Sequence, residues 1–281
     1  MPTDKAAKKT DETPQEGFWS HVAALRSVVI KIVVLVCVVC VGTFCAMPWI
    51  FDNVIMAPCR GDFVTYRVMD GIARAVAGVD AVAPDFSADI MSLELTSQMF
   101  VHLSASFWVA AMLVFPVVIY LLWTFVAPGL YDHEKRGARR GFLAANLLFY
   151  LGVAVGYFMV FPLALRFLAD YRLSDTIRAV VSLDSYMDNF FLMLIMMGAV
   201  FQLPVVSWLL GRIGVLNRGI FHRYRRHAIV ILLIVAALIT PTGDPFTLFL
   251  VFVPIYALYE LSAWLVPADE RPDNKSETDE N

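Results

Sequence analysis

The chain has 281 residues, of which 59 % are hydrophobic and only 17 % charged. A soluble domain carries about 45–50 % apolar and roughly 25 % charged residues, so no single globular core hides this much apolar surface, and a water-soluble enzyme is excluded. The 22 basic residues nearly balance 25 acidic ones, a net charge of -3 that offers no basic face for nucleic acid.

The first 17 residues are polar and hold Asp4, Asp11, Glu12 and Glu16, where a signal or transit peptide is basic. They predict a disordered cytoplasmic tail, as do residues 267–281, and residues 18–266 between them predict one membrane domain. Five apolar runs reach the roughly 20 residues that a bilayer span requires: 32–51, 107–127, 142–165, 190–210 and 246–266. A sixth run, 228–239, reaches only about 18 Å at 1.5 Å per residue against a hydrocarbon core of about 30 Å. The flanking charges predict that it nevertheless crosses, where the bilayer thins and with help from Thr240 to Asp244.

Cys37, Cys40 and Cys45 fall inside the first run and Cys59 just beyond it; without His or carboxylate neighbours they read as small buried hydrophobes and not as metal ligands. Residues 52–106 form the one extramembrane stretch long enough to be structured, and Met91, Leu95, Met99 and Leu103 near its end predict a helix running into the second span. Pro116, Pro162, Pro204 and Pro254 lie inside four spans and predict bent helices and a curved bundle.

Charge by position sets the orientation. The segment up to Lys31, the second and fourth loops and the tail hold 16 Lys and Arg, against 6 in the alternate loops. The positive-inside rule then puts both termini in the cytoplasm with six spans between them. The fold class is an all-α membrane protein of six transmembrane helices, both ends inside, with two short late spans.

Polar groups within spans are costly and mark candidate sites. Glu260 lies about 9 Å from the cytoplasmic end of the last span and is either functional or reaches the headgroups by snorkelling. Gln202 stands beside Pro204, where its amide either takes up a carbonyl freed by proline or contacts a ligand; Asn146, Thr240 and Asp244 lie nearer span ends. No His, Ser or Cys spacing suggests a nucleophile with its base or a metal centre, so neither enzymatic chemistry nor a cofactor is expected. An ion-coupled transporter using Glu260 and Asp244 is the alternative from a different class, although no repeated halves are visible.

The stretch from Phe115 to Arg136, FPVVIYLLWTFVAPGLYDHEKR, closely resembles the signature of the TatC subunit of the twin-arginine protein translocase. HVAALR at 21–26, Ala57-Pro58, GYFMVFPLALRFL at 156–168, FQLP at 201–204 and TPTGDPF at 240–246 followed by LYELS agree in order and spacing, so the resemblance runs from about Phe18 to Ser262. It implies a receptor, in the inner membrane of a bacterium, that binds twin-arginine signal peptides of folded cargo at the cytoplasmic face. It also implies TatA-type and, where present, TatB-type single-span partners, homo-oligomers within the complex, transport driven by the proton motive force, and no nucleotide hydrolysis. Two adjacent arginines present charged planar forks that match carboxylates in a partly desolvated place. Glu134 matches the loop glutamate of the family and is the first candidate, with Phe125, Pro128 and Tyr131 shaping the loop and His21, Leu25 and Arg26 completing the site from the first helix.

Three positions depart from the pattern. The N-terminal motif of the family reads His-Leu-x-Glu-Leu-Arg, whereas this chain has Val22 for the leucine and Ala24 for the glutamate, the second carboxylate of the signal site. Glu16, eight residues earlier, is about 80° round the helix and substitutes poorly; Asp132 is better placed. Gln202 stands where many relatives carry Glu. The missing carboxylate leaves a second alternative, a degenerate TatC-like scaffold with altered signal binding.

Overall fold

The computed structural model describes residues 14–77, 88–126, 135–171, 180–212, 214–240 and 244–266. They form nine helices: α1 (Pro14–Ile50), α2 (Val64–Ala77), α3 (Ser97–Val126), α4 (Lys135–Val155), α5 (Phe161–Asp170), α6 (Leu183–Val200), α7 (Leu203–Arg212), α8 (Arg218–Ile239) and α9 (Pro245–Leu265). Five helical units are long and apolar enough to cross a membrane: α1, α3, α4 continued through α5, α6 continued through α7, and α9. The sixth crossing is α8, whose apolar part is short. It pairs antiparallel with α9, as the contacts of Phe221 with Tyr259 and of Arg225 with Tyr256 fix.

The helices overrun their apolar runs. Helix α1 starts well before Ile32 and α3 ten residues before Phe107, because helix persists into the polar zone wherever no breaker intervenes. Near the start of α3 the expectation needs correction. Met91 belongs to a two-residue strand, β1 (Ile90–Met91), which pairs in parallel with β2 (Val181–Ser182), and the helix begins only at Ser97. Leu95, Met99 and Leu103 are exposed. The reading of the cysteines as buried also fails in part: Cys37 and Cys45 are exposed and Cys59 alone is buried. Helix α1 stands at the edge of the bundle, so most of its faces meet no other helix.

The α6–α7 unit is the centre. Over half of its apolar stretch, 56 %, is buried, against 6 % for α1. Phe190, Met193, Leu194 and Met197 of α6 form the middle of the core with Val160, Phe161, Ala105 and Ile255. Helix α4 crosses α6 closely through Gly152 and Gly156, a small-xxx-small pair. A Cβ on Gly152 would lie 2.7 Å from the Met197 carbonyl and 2.8 Å from Phe201, so only glycine permits this approach.

The prolines sit in two kinds of place. Pro162 and Pro204 occupy the first turns of α5 and α7, where a missing N–H costs nothing, and the chain breaks just before each, in a π-type turn at Gly156–Val160 and a turn at 201–202. Pro116, Pro254 and also Pro48 lie within continuous helices. Each proline frees the carbonyl four residues earlier, and side chains from neighbouring segments donate to several of these. His102 Nε2 donates to the Phe44 carbonyl (3.0 Å) opposite Pro48, and the Tyr150 hydroxyl to the Met112 carbonyl (3.3 Å) opposite Pro116. The Tyr157 hydroxyl donates to the Val54 carbonyl (2.8 Å) opposite Pro58, and the Thr65 hydroxyl to the Phe158 carbonyl opposite Pro162. Lipid offers no donor to such a carbonyl, so neighbouring segments must.

The extracytoplasmic side is closed by the same device. The buried Tyr66 hydroxyl donates to the carbonyls of Pro58 (3.0 Å) and Pro162 (3.1 Å), and Tyr186 donates to Ile55 (2.5 Å). Burial pushes the Tyr66 phenol well above its ordinary range, so it stays protonated and remains a donor. The described residues of the 52–106 connection, 52–77 and 88–106, are therefore structured.

Candidate functional site

The sequence places its strongest site at the cytoplasmic ends of α1 and of the α3–α4 connection. Ala24, Leu25 and Arg26 lie on α1 and are exposed, as is Val22 one turn earlier. No described side chain packs over Ala24, so a larger residue there has room. His21 and Phe125 belong to α1 and α3, and their side chains lie outside the described residues, as do Pro128, Tyr131, Asp132 and Glu134. The two segments share one side of the membrane, since α1 begins there and α3 ends there.

The polar groups of the later spans have definite partners. Gln202 sits in the turn between α6 and α7. Its backbone N–H turns to Ala199, and its side-chain amide donates to the Gly198 carbonyl (3.5 Å) and across to the Ala145 carbonyl of α4 (3.1 Å). It thus ties the turn between α6 and α7 to α4; of the carbonyls it serves, none is the one freed by Pro204. Asn146, one residue on from Ala145, donates to Phe142 (2.9 Å).

Thr240 stands at the end of α8 and Asp244 at the start of α9. The Thr240 hydroxyl donates back to Ala236 (3.0 Å), ending α8, and Asp244 is the N-cap of α9, accepting from the Thr247 N–H (2.8 Å) and from its hydroxyl. An anionic cap at a helix N-terminus is favoured by the dipole, which accounts for an aspartate at this depth. Glu260 lies near the other end of α9, paired with Arg225 of α8 at 2.6 Å, while Arg225 also donates to the Tyr256 hydroxyl (3.1 Å). These contacts hold the Arg225 guanidinium charged, its pKa raised first by Tyr256 and then by Glu260. Sequence reading missed Arg225 and Tyr256; the signal was the four-residue step from Tyr256 to Glu260 on one face of α9.

Asp244 and Glu260 stand 16 residues apart, about 24 Å along α9, and each is engaged locally. Among the described residues there is no group of His, Cys, Asp or Glu able to hold a metal ion. The arrangement can present a polar-capped helical hairpin at one edge, a close-packed centre, and an exposed first helix beside the α3–α4 connection. It defines a multi-span, all-α membrane protein.

Comparison with known proteins is specific. Residues 20–254 match the family model described as Sec-independent protein translocase protein (TatC). The TatC protein of a Blattabacterium from Periplaneta americana is 30 % identical over 260 residues, covering 91 % of this chain and 96 % of its own. That of Campylobacter jejuni is 31 % identical over 200 residues, covering 71 % and 81 %. Two crystal structures of a twin-arginine translocase receptor TatC superpose with TM-scores of 0.70 and 0.68 at 26 % and 28 % identity, over 88 % and 87 % of this chain and 99 % and 97 % of theirs. The chain belongs to the TatC family, and it is a multi-span membrane subunit of a bacterial Sec-independent protein translocase.

Proposed function

We propose that the chain is the receptor of its translocase: it takes up the twin-arginine signal peptide of a folded protein at the cytoplasmic face of the inner membrane and then gathers TatA-type, and where present TatB-type, single-span partners. The observation that carries this reading is the FPVVIYLLWTFVAPGLYDHEKR stretch, which joins α3 to α4 on the same side of the membrane as the start of α1. Glu134 receives the arginine forks, Asp132 supplies the second carboxylate that Ala24 lacks, and Phe125, Pro128 and Tyr131 with His21, Leu25 and Arg26 frame the contact. No bond is made or broken in this role, so it calls for binding and assembly and no catalytic group.

Partner helices have surfaces to meet. Val230, Ile231, Ile234 and Leu238 of α8 and Phe249 and Val253 of α9 are exposed beside the Thr240, Asp244 and Glu260 positions, as are Val22, Leu25, Val29, Ile30, Val33 and Val34 of α1. Several such edges on one chain suit assembly into a complex holding more than one copy. The engagement of Asp244 and Glu260 in a cap and an ion pair tells against an ion pathway through them.

Export of a twin-arginine reporter tests the assignment. Glu134→Lys is expected to abolish export while the protein still accumulates in the membrane, and normal export by that variant would refute the site. Ala24→Glu separates a rebuilt site from a degenerate scaffold: unchanged peptide binding is expected, and a strong increase would mean that the native chain has lost its receptor role.

A further inference from the structure

A cleft of about 340 Å³ opens between α4, α7 and α9, lined by Gly141, Leu148, Pro204, Trp208, Arg212 and Leu261 among others. Its position follows from the topology. Gly141 lies two turns into α4, Arg212 is the last residue of α7, and Leu261 is near the end of α9, so all three mark the cytoplasmic leaflet. Leu148, seven residues beyond Gly141, takes the cleft about 10 Å toward the membrane centre.

The rim is cationic and the interior apolar. The Arg212 guanidinium lies over the Trp208 ring, 5.1 Å from its centroid. Among the described residues no carboxylate pairs with Arg212, and Glu260, next to Leu261, is held by Arg225 at 2.6 Å. Arg212 is the basic residue among those that line the cleft, and it stands at the cytoplasmic end of α7, at the depth of the headgroups. Gly141 is what lets the indole lie against α4, because a Cβ there would sit 2.9 Å from Trp208 Cζ3.

We propose that this cleft binds an anionic phospholipid of the cytoplasmic leaflet, its phosphate on Arg212 and one acyl chain running inward along Trp208 and Pro204 toward Leu148. A basic pocket between helices at headgroup depth is the arrangement that recognises such lipids. Its test uses no signal peptide, so this reading and that of the signal-peptide site fail independently.

Trp208 itself reports occupancy. A full-length variant with Trp19, Trp49, Trp108, Trp123 and Trp264 changed to Phe leaves Trp208 as the single fluorophore. It is reconstituted into phosphatidylcholine vesicles containing a rising fraction of either brominated phosphatidylglycerol or brominated phosphatidylcholine. Brominated phosphatidylglycerol is expected to quench at a several-fold lower mole fraction. Arg212→Gln removes that preference but not quenching itself, and Arg212→Lys retains part of it, which separates loss of charge from loss of fold. Equal quenching by the two headgroups, a preference that survives Arg212→Gln, or no quenching by either lipid because a protein segment fills the cleft would each overturn the proposal.

Discussion

His102 and Pro48 offer a test of how this bundle tolerates its prolines. Pro48 has no N–H for the Phe44 carbonyl one turn before it, and His102 of α3 supplies the donor at 3.0 Å while its ring stacks on Phe44, centroids 4.0 Å apart and planes 11° from parallel. Since a carbonyl can only accept, Nε2 carries the proton. His102→Phe keeps a ring for the stack and removes the donor, so the change isolates one hydrogen bond and the acceptor it strands. A net hydrogen bond is worth about 0.5–1.5 kcal/mol and a stranded acceptor costs about 1–3, but polar contacts in membrane bundles average about 0.6; a loss of about 1–2 kcal/mol is expected. Pro48→Ala restores an N–H inside α1, whose helix continues to Ile50, and the Phe44 carbonyl then has a partner in its own helix. In that background His102→Phe should cost less than about 0.5 kcal/mol, a coupling of about 1 kcal/mol. Unfolding of the four proteins in mixed micelles titrated with dodecyl sulfate measures it. An equal cost of His102→Phe in both backgrounds would refute the idea that the histidine serves the proline.

Two further substitutions probe the centre of the bundle. Gly152→Ala forces α4 away from α6 by roughly 0.7 Å, the gap between 2.7 Å and ordinary contact at 3.4 Å, and should cost about 1–3 kcal/mol of overpacking, whereas Gly42→Ala, with nothing within 4 Å, should be neutral or slightly stabilising; thermal denaturation in detergent compares them. Gln202→Leu removes the tie to the Ala145 carbonyl and leaves that of Gly198 short of a partner, so it should destabilise by about 1 kcal/mol in the same assay; no change would mean that the amide serves partners and not the α6–α7 break.

The crossings of this fold were legible where the physics is local. Apolar length gives the five long spans, and the placing of Lys and Arg gives their direction, because both depend on stretches of about 20 residues and not on neighbours. The FPVVIYLLWTFVAPGLYDHEKR stretch carried the family, which the match over residues 20–254 bears out. What escaped depends on contacts distant in sequence. The strand pair joins Ile90 to Val181 across two connections, with two residues a side and no periodicity to betray it. The donors that serve the prolines come from other segments, and a lone His102, Tyr150 or Tyr157 in a sequence says nothing of which carbonyl it will reach. Four prolines that look alike in the sequence fall in two kinds of place: Pro162 and Pro204 start helices, while Pro116 and Pro254 ride inside them. Of the site, Gln202, Thr240, Asp244 and Glu260 were found as polar exceptions, and their partners had to wait for the fold.

The central claim is that the α3–α4 connection, with Glu134 at its heart, receives the paired arginines of a signal peptide. Photocrosslinking from position 134 in native membranes, with a twin-arginine peptide and a matched peptide bearing two lysines, tests it most directly. The receptor account predicts a strong adduct with the arginine peptide, reduced at least about tenfold with the lysine peptide, as the loss of planar bidentate pairing implies. Equal adducts with both peptides, or none with either while export proceeds, would contradict it.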